Sequence, residues 1–387
     1  DPETGFNYKL EDKDTVMNDS SSYKVENLRF EGLENNKELK LIVYNKLGQL
    51  IDLRNFKIRE LKDSKPKVVM VSNLDDHFKD QQQKAWTQIY SKKPDYIFIL
   101  GGGVIANELD KLSLKTTHPD LIWHRYTETR KNLDFYYQDN LIPVVALWGE
   151  EDYGLSNAGS EFKYKKEALE TFKAFYPQEE IKGHFYTGPA NSYYLNFASH
   201  NFFFLDARSF RTKDAAYNEN QSHFGEDQLE WVEEIALKNQ QSTWFLSSTG
   251  FFANYHPWST LRRSHPLSYK KFLSLVNKIE SPVVFASSSR KLFEVSKLDL
   301  PELHAKTYEI TTGALHGALE ASHWSRYPNS TQVVGKDKTH HFVEVDFKDD
   351  TSFELKMSSV EKNGRTLYKK TLKTDLIKKQ DPSQQAK

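Results

Sequence analysis

Pro94 to Asn107 reads PDYIFILGGGVIAN, an apolar strand running into a turn. Tyr96 to Leu100 is the kind of short run that is buried on both faces of a sheet, and three glycines stop it. In α/β folds the chemistry is delivered where such strands end. Here the turn presents Gly101, Gly102 and Gly103, backed by Val104 and Ile105, and no charge. The same rhythm recurs in VVMVS, PVVALW, YYLNF, NFFFLD, TWFLSS and PVVFAS. Between several of these lie amphipathic segments, among them DQQQKAWTQIYSKK, KYKKEALETFKAFY, EDQLEWVEEIALKN and LSYKKFLSLVNKI. The pattern predicts an α/β core of sheets sandwiched by helices, with β extensions at both ends.

A chain of 387 residues can bury a large core. Its 53 basic and 54 acidic residues leave a formal net charge of -1, so no basic excess exists to displace counterions from nucleic acid. The cysteine count of 0 rules out disulfides and thiolate metal ligands. No apolar run approaches membrane-spanning length, so no transmembrane segment is expected. The chain opens on Asp1 and not Met, an appearance that a removed export signal or lipid anchor leaves.

Residues 1–22 are polar and are expected to form a disordered leader. Over 23–65, YKVENLRFEGL, KELKLIVYN and IDLRNFKIREL are separated by turn-like ENNK and KLGQ. They predict a small antiparallel β module, part of a fibronectin- or immunoglobulin-like sandwich, too short to complete one and therefore leaning on the next domain. The main domain is expected over 66–373, ending in the β segments HHFVEVDF, SFELKMSS and RTLYKKTLK, with a disordered tail over 374–387.

The strand ends differ in what they deliver. The first gives Asp75, Asp76 and His77, the second only glycines, and the third Glu150, Glu151 and Asp152. Later strands give LDARSFR, SSSRKLFEV and TTGALHGAL, the last with His316. In this order the motifs GLENNKELKLIVYNKLGQLIDLRNFKI, AWTQIYSKKPDYIFILG, PVVALWGEEDYGLSNAGSEF, FLDARSFRT, FGEDQLEWV and YEITTGALHG carry a resemblance, from about Leu33 to about Gly317. The chain resembles the alkaline phosphatase D (PhoD-like) branch of the calcineurin-type metallophosphoesterases. That resemblance implies a four-layer fold, two β-sheets flanked by helices, with a dinuclear metal site between the strand ends. It also implies export, to the periplasm, the cell surface or a lipid anchor.

Carried over residue by residue, the chemical positions depart from the family's pattern. Its Ser-Cys followed by an Asp appears here as Ser72 and Asn73 with Asp75. Its Gly-Asp, with a Tyr three residues beyond the Asp, becomes Gly101 and Gly102 with Ile105. Trp-Asp-Asp-His-Asp becomes Trp148, Gly149, Glu150, Glu151 and Asp152. Ser-Gly-Asp-Arg-His becomes Ser287, Ser288, Ser289, Arg290 and Lys291, and Leu-Thr-His becomes Leu315, His316 and Gly317. A two-metal hydrolase needs several anionic or imidazole donors, including a bridging carboxylate. Gly and Ile supply none, and an ammonium repels a cation.

The leading expectation is therefore a pseudoenzyme with no cofactor, whose metal-free former cleft binds an anionic small molecule or a protein partner. That cleft takes in Asn73, Asp75, Gly102, Gly103, Ile105, Glu150, Glu151, Asp152, Ser288, Ser289, Arg290, Lys291, His316 and Gly317. Within it Lys291, opposite Glu150 or Glu151, is expected to compensate the remaining negative charge. Asp206, Arg208 and Arg211 are expected to hold loops through buried ion pairs. The alternative is a divergent phosphodiesterase or phosphomonoesterase with a relocated metal set drawn from Asp75, Asp76, His77, Asp152 and His316.

Overall fold

The computed structural model describes residues 6–10, 25, 27–34, 36–58, 65–107, 117–213, 220–239, 241–253, 260–288, 291–319, 329–336, 338–349 and 351–374. Three sheets organise them. The six-stranded sheet runs, in spatial order, Arg365–Lys373, Ser352–Ser359, His341–Asp349, Lys67–Val71, Tyr96–Leu100 and Val144–Leu147. The eight-stranded sheet runs Gln332–Lys336, Phe293–Leu298, Thr307–Thr311, Val283–Ser287, Ser242–Ser247, His200–Leu205, Tyr193–Phe197 and Phe185–Thr187.

The period of two along each strand builds the layers. In the first main-body strand Val68 and Met70 face the second sheet, whereas Val69 and Val71 face the helices. The inter-sheet core is aromatic: Phe98 meets Phe197, Phe202 and Phe204 edge-on, with ring centroids 6.3, 5.5 and 5.0 Å away. Burying each such ring stabilises the fold by roughly 1.5–3 kcal/mol. The helix Lys79–Ser91 covers the outer face of the six-stranded sheet through Gln82, Ala85, Trp86 and Ile89, one stripe at helical spacing. The helices Glu226–Lys238 and Pro266–Val276 cover the other sheet through residues such as Val232 and Phe272. Four layers result, as the resemblance implies. No described helix is long and apolar enough to cross a membrane.

Parallel pairing puts the carboxyl ends of Lys67–Val71, Tyr96–Leu100 and Val144–Leu147 on one edge. The ends of His200–Leu205, Ser242–Ser247, Val283–Ser287 and Thr307–Thr311 likewise share one edge of the other sheet. Backbone hydrogen bonds from Asn73 to Gly101, Leu315 to Ser72 and Thr312 to Ser287 sew these ends into one rim.

The third sheet departs from the expected module. Its order is Phe6–Leu10, Glu38–Asn45, Leu50–Lys57 and Asn140–Leu141. Phe6–Leu10, expected within a disordered leader, pairs antiparallel with Glu38–Asn45. Asn140–Leu141 comes from the main body and pairs in parallel with Asn55 and Phe56. Asn27 to Leu33, within a segment expected as strand, is an irregular strap. Leu28 and Phe30 supply a strand-like alternation, but no ladder among the described residues takes up their backbone. Of the expected tail over 374–387, Thr374 is buried and donates its N–H to Thr351 O at 2.9 Å, and residues 375–387 lie outside the described residues.

Candidate functional site

The rim is built around Asp152, a fully buried side chain in the short helix Glu150–Tyr153. Its Oδ2 accepts the backbone N–H of Gly102 and of Gly149, each at 2.6 Å, and its Oδ1 accepts that of Val104 at 2.8 Å. One carboxylate thus ties the glycine turn to the strand end beside it. Burial pushes this carboxyl up to about 6, while the three N–H groups pull the other way. Both of its oxygens are taken up by the backbone.

The neighbouring acids are also paired. Glu151 and Lys291 approach to 3.3 Å (Oε1 to Nζ), with their side chains 17% and 22% exposed. A Cβ added to Gly102 would lie 3.0 Å from Glu151 Oε2 and 3.0 Å from the Asn73 backbone, so this ion pair stands directly over the glycine turn. Gly102 has φ +66, a conformation that favours glycine. Glu150 turns the other way, to Arg208 Nη2 at 3.3 Å.

Arg208 does form a part-buried ion pair, with Glu150, but Asp206 meets no arginine side chain among the described residues, contrary to the expectation. Its Oδ1 accepts from Trp148 Nε1 at 2.9 Å and from the backbone N–H of Arg208 at 2.7 Å, and its Oδ2 from Asn191 N–H at 3.1 Å. Glu309, which no sequence signal singled out, does similar work for a loop of the second sheet, accepting from Phe251 and Phe252 N–H at 2.7 and 3.0 Å.

The remaining residues close the rim. Ser72 Oγ donates to Gly313 O at 2.8 Å, and Ser288 Oγ donates to Ser248 O at 3.2 Å. Gly317 donates its N–H to Asn73 O, and a Cβ there would come within 2.7 Å of that oxygen. His316 is fully buried, its Nδ1 3.1 Å from Asp75 N and 3.0 Å from Asp75 O, and burial lowers its pKa to about 4. Its Nε2 has no partner among the described residues, and its ring stands edge-on to Trp86. Gly103 and Ile105 are buried in the turn. Asp75, Asp76 and His77 gather on the next loop, with candidate ligand atoms within 4.8 Å of one another. Yet Asp75 Oδ1 lies 2.8 Å from His77 Nδ1, and Asp76 Oδ1 accepts from Arg125 at 2.7 Å. Ser289 and Arg290 lie outside the described residues.

The structure therefore brings Asn73, Gly102, Glu151, Asp152, Lys291 and Gly317 to one stretch of the rim, turns Glu150 toward Arg208, and commits His316 to the Asp75 backbone. No family model and no curated protein matches the chain. Among solved structures, one described as the structure of PhoD matches with a TM-score of 0.70 at 12% identity, covering 97% of this chain and 84% of its own. Purple acid phosphatase PPD1 from yellow lupin seeds matches with a TM-score of 0.64 at 13% identity, covering 96% of this chain and 69% of its own. The chain has the metallophosphoesterase fold. At such identities the likeness to PhoD and to the lupin phosphatase is one of architecture.

Proposed function

We propose that this chain uses the metallophosphoesterase scaffold without metal-dependent hydrolysis, as a pseudoenzyme that binds an anionic small molecule or a protein partner. The observation that carries the reading is the Lys291–Glu151 pair over Gly102. A dinuclear metal centre does not fit these residues. Gly102, Gly149 and Gly317 offer no donor atoms, and both Asp152 oxygens serve the backbone. At ~4 Å and an effective dielectric near 20, an ammonium at Lys291 repels each unit of metal charge by about 4 kcal/mol. This donor set supports no hydrolytic step through a metal. The pair also removes the repulsion that unneutralised carboxylates at the rim would suffer.

The gathering of Asp75, Asp76 and His77 supports a second reading, a divergent phosphoesterase with one relocated cation. Two measurements separate the readings. Elemental analysis of gently purified protein is expected to find no stoichiometric transition metal or calcium, and one or two ions per chain overturn the proposal. Assays on generic phosphomonoesters and phosphodiesters, with Zn, Fe, Mn or Ca added, are expected to stay at background. Turnover that disappears in Asp75→Ala establishes the second reading instead.

A further inference from the structure

Where the N-terminal sheet meets the main body, a seam holds a cavity of 920 Å³, lined by none of the strand-end residues described above. Small-molecule sites commonly occupy roughly 300–1,000 Å³ and lie where two structural units meet. Leu28 and Phe30 form one wall, while Arg29 between them pairs with Glu179 at 3.0 Å and fastens the strap to the main body. Phe56 and Leu141 form another, and Val145 and Leu195, at the edge of the inter-sheet core, line the cavity too.

A second cavity of 570 Å³ adjoins the first, the two sharing Phe56, Lys57, Leu141 and Ile142. Its character is different. Lys40, Lys57 and Lys93 line it, with Glu38 as the one acidic residue. Glu38 stands across from Lys57 in the strand register, but neither Lys57 nor Lys93 forms an ion pair among the described residues. A mainly apolar chamber, whose lining also includes His184 and the Arg29-paired Glu179, thus opens beside a basic vestibule, with Lys57 on the boundary.

We propose that the seam binds an anionic single-chain amphiphile, its hydrocarbon chain in the larger chamber and its headgroup at Lys57 and Lys93. Chain burial supplies affinity without direction, and the two ammonium groups orient the molecule by attracting its charged end. A fatty carboxylate and a lysophosphatidate share this chemistry. The assignment does not depend on the state of the strand-end hollow, and each can fail alone.

The test uses the full chain and the fluorescent fatty acid cis-parinaric acid, followed by displacement below micellar concentrations. Hexadecanoate, palmitoyl lysophosphatidate and hexadecanol serve as competitors. Saturable binding is expected, with both anions displacing the probe at least about tenfold more effectively than the alcohol. The order of the two anions identifies the preferred headgroup. Lys57→Glu combined with Lys93→Glu is expected to weaken both anions about tenfold and leave the alcohol unchanged. Leu141→Trp, at a rim position 42% exposed, is expected to obstruct all three while the protein keeps its circular dichroism spectrum. Unsaturable binding, displacement by the alcohol as effective as by the anions, or unchanged affinity in folded Leu141→Trp each overturns the assignment.

Discussion

At the strand ends, Asp152 and Glu151 each have a donor waiting, three backbone N–H groups for the one and Lys291 for the other, while Glu150 turns away to Arg208. Along the N-terminal seam, Lys57 and Lys93 line a cavity without an ion-pair partner among the described residues. The contrast separates two uses of polar groups. A buried polar atom with internal partners holds the chain in one conformation, and removing one member leaves the others unsatisfied. A charge at the wall of an open cavity contributes little to the fold and remains available to a ligand. Mutations in the two regions should therefore move different observables.

The largest effect belongs to Asp152→Ala. It strands the N–H groups of Gly102, Val104 and Gly149 in a buried turn, at about 1–3 kcal/mol for each one left unsatisfied. A loss of about 4 kcal/mol is expected in urea unfolding, partial solvation of the turn recovering some of the total. An unchanged midpoint would mean that the carboxylate is not the clamp of the rim. Gly102→Asp comes next, placing an acid on the glycine turn. Its Cβ would press on the Asn73 backbone at 3.0 Å and its charge on Glu151, in a left-handed conformation. The expected loss is about 2 kcal/mol. Unimpaired stability together with new metal binding, read by calorimetry, would break the contrast.

A pH dependence of similar size centres on His341, which is buried behind the rim. Its Nε2 accepts from Gly313 N–H at 3.1 Å while its Nδ1 faces Thr339 O at 2.8 Å, so the folded state requires the neutral Nδ1–H tautomer. Burial lowers its pKa to about 4 from the ordinary 6.5. Only the unfolded chain takes a proton between those values. The contribution is complete above pH 6.5 and is lost as the pH falls toward 4. Relative to His341→Gln, the wild type should lose about 2 kcal/mol between pH 7.5 and pH 5. A constant difference between the two proteins across that range would contradict the assignment.

Much of the four-layer core was legible in advance because its signal is local. Val68 to Val71 alternate between two buried faces, and Gln82, Ala85, Trp86 and Ile89 recur at helical spacing, so pattern and environment coincide. Lys291 was expected opposite Glu150 or Glu151, and of the two it is Glu151 that it meets. The role of Asp152 was not legible. Its partners Gly102 and Val104 lie about fifty positions away and use backbone N–H groups, which every residue but proline carries. The seam was hidden for a related reason. Asn140–Leu141 is too short a strand to show a period, and its pairing with Asn55 and Phe56 exists only in three dimensions.

The smallest expected effect sharpens the contrast most, because it compares two lysines under one substitution. Lys291→Met removes the partner of Glu151, whose carboxylate then sits mostly buried over Gly102 without a counter-charge. Partial exposure of the pair moderates the cost to about 1–2 kcal/mol, between the values for surface and fully buried pairs. Lys57→Met removes a charge that no described residue pairs with, and its methylene stem already borders apolar Phe56 and Leu141. Stability should stay within about 0.5 kcal/mol of wild type. A Lys57→Met loss equal to that of Lys291→Met would place Lys57 in the architecture of the N-terminal sheet. A neutral result at Lys57 beside a measurable loss at Lys291 would instead mark the seam as the region where this molecule keeps charge in reserve for a ligand.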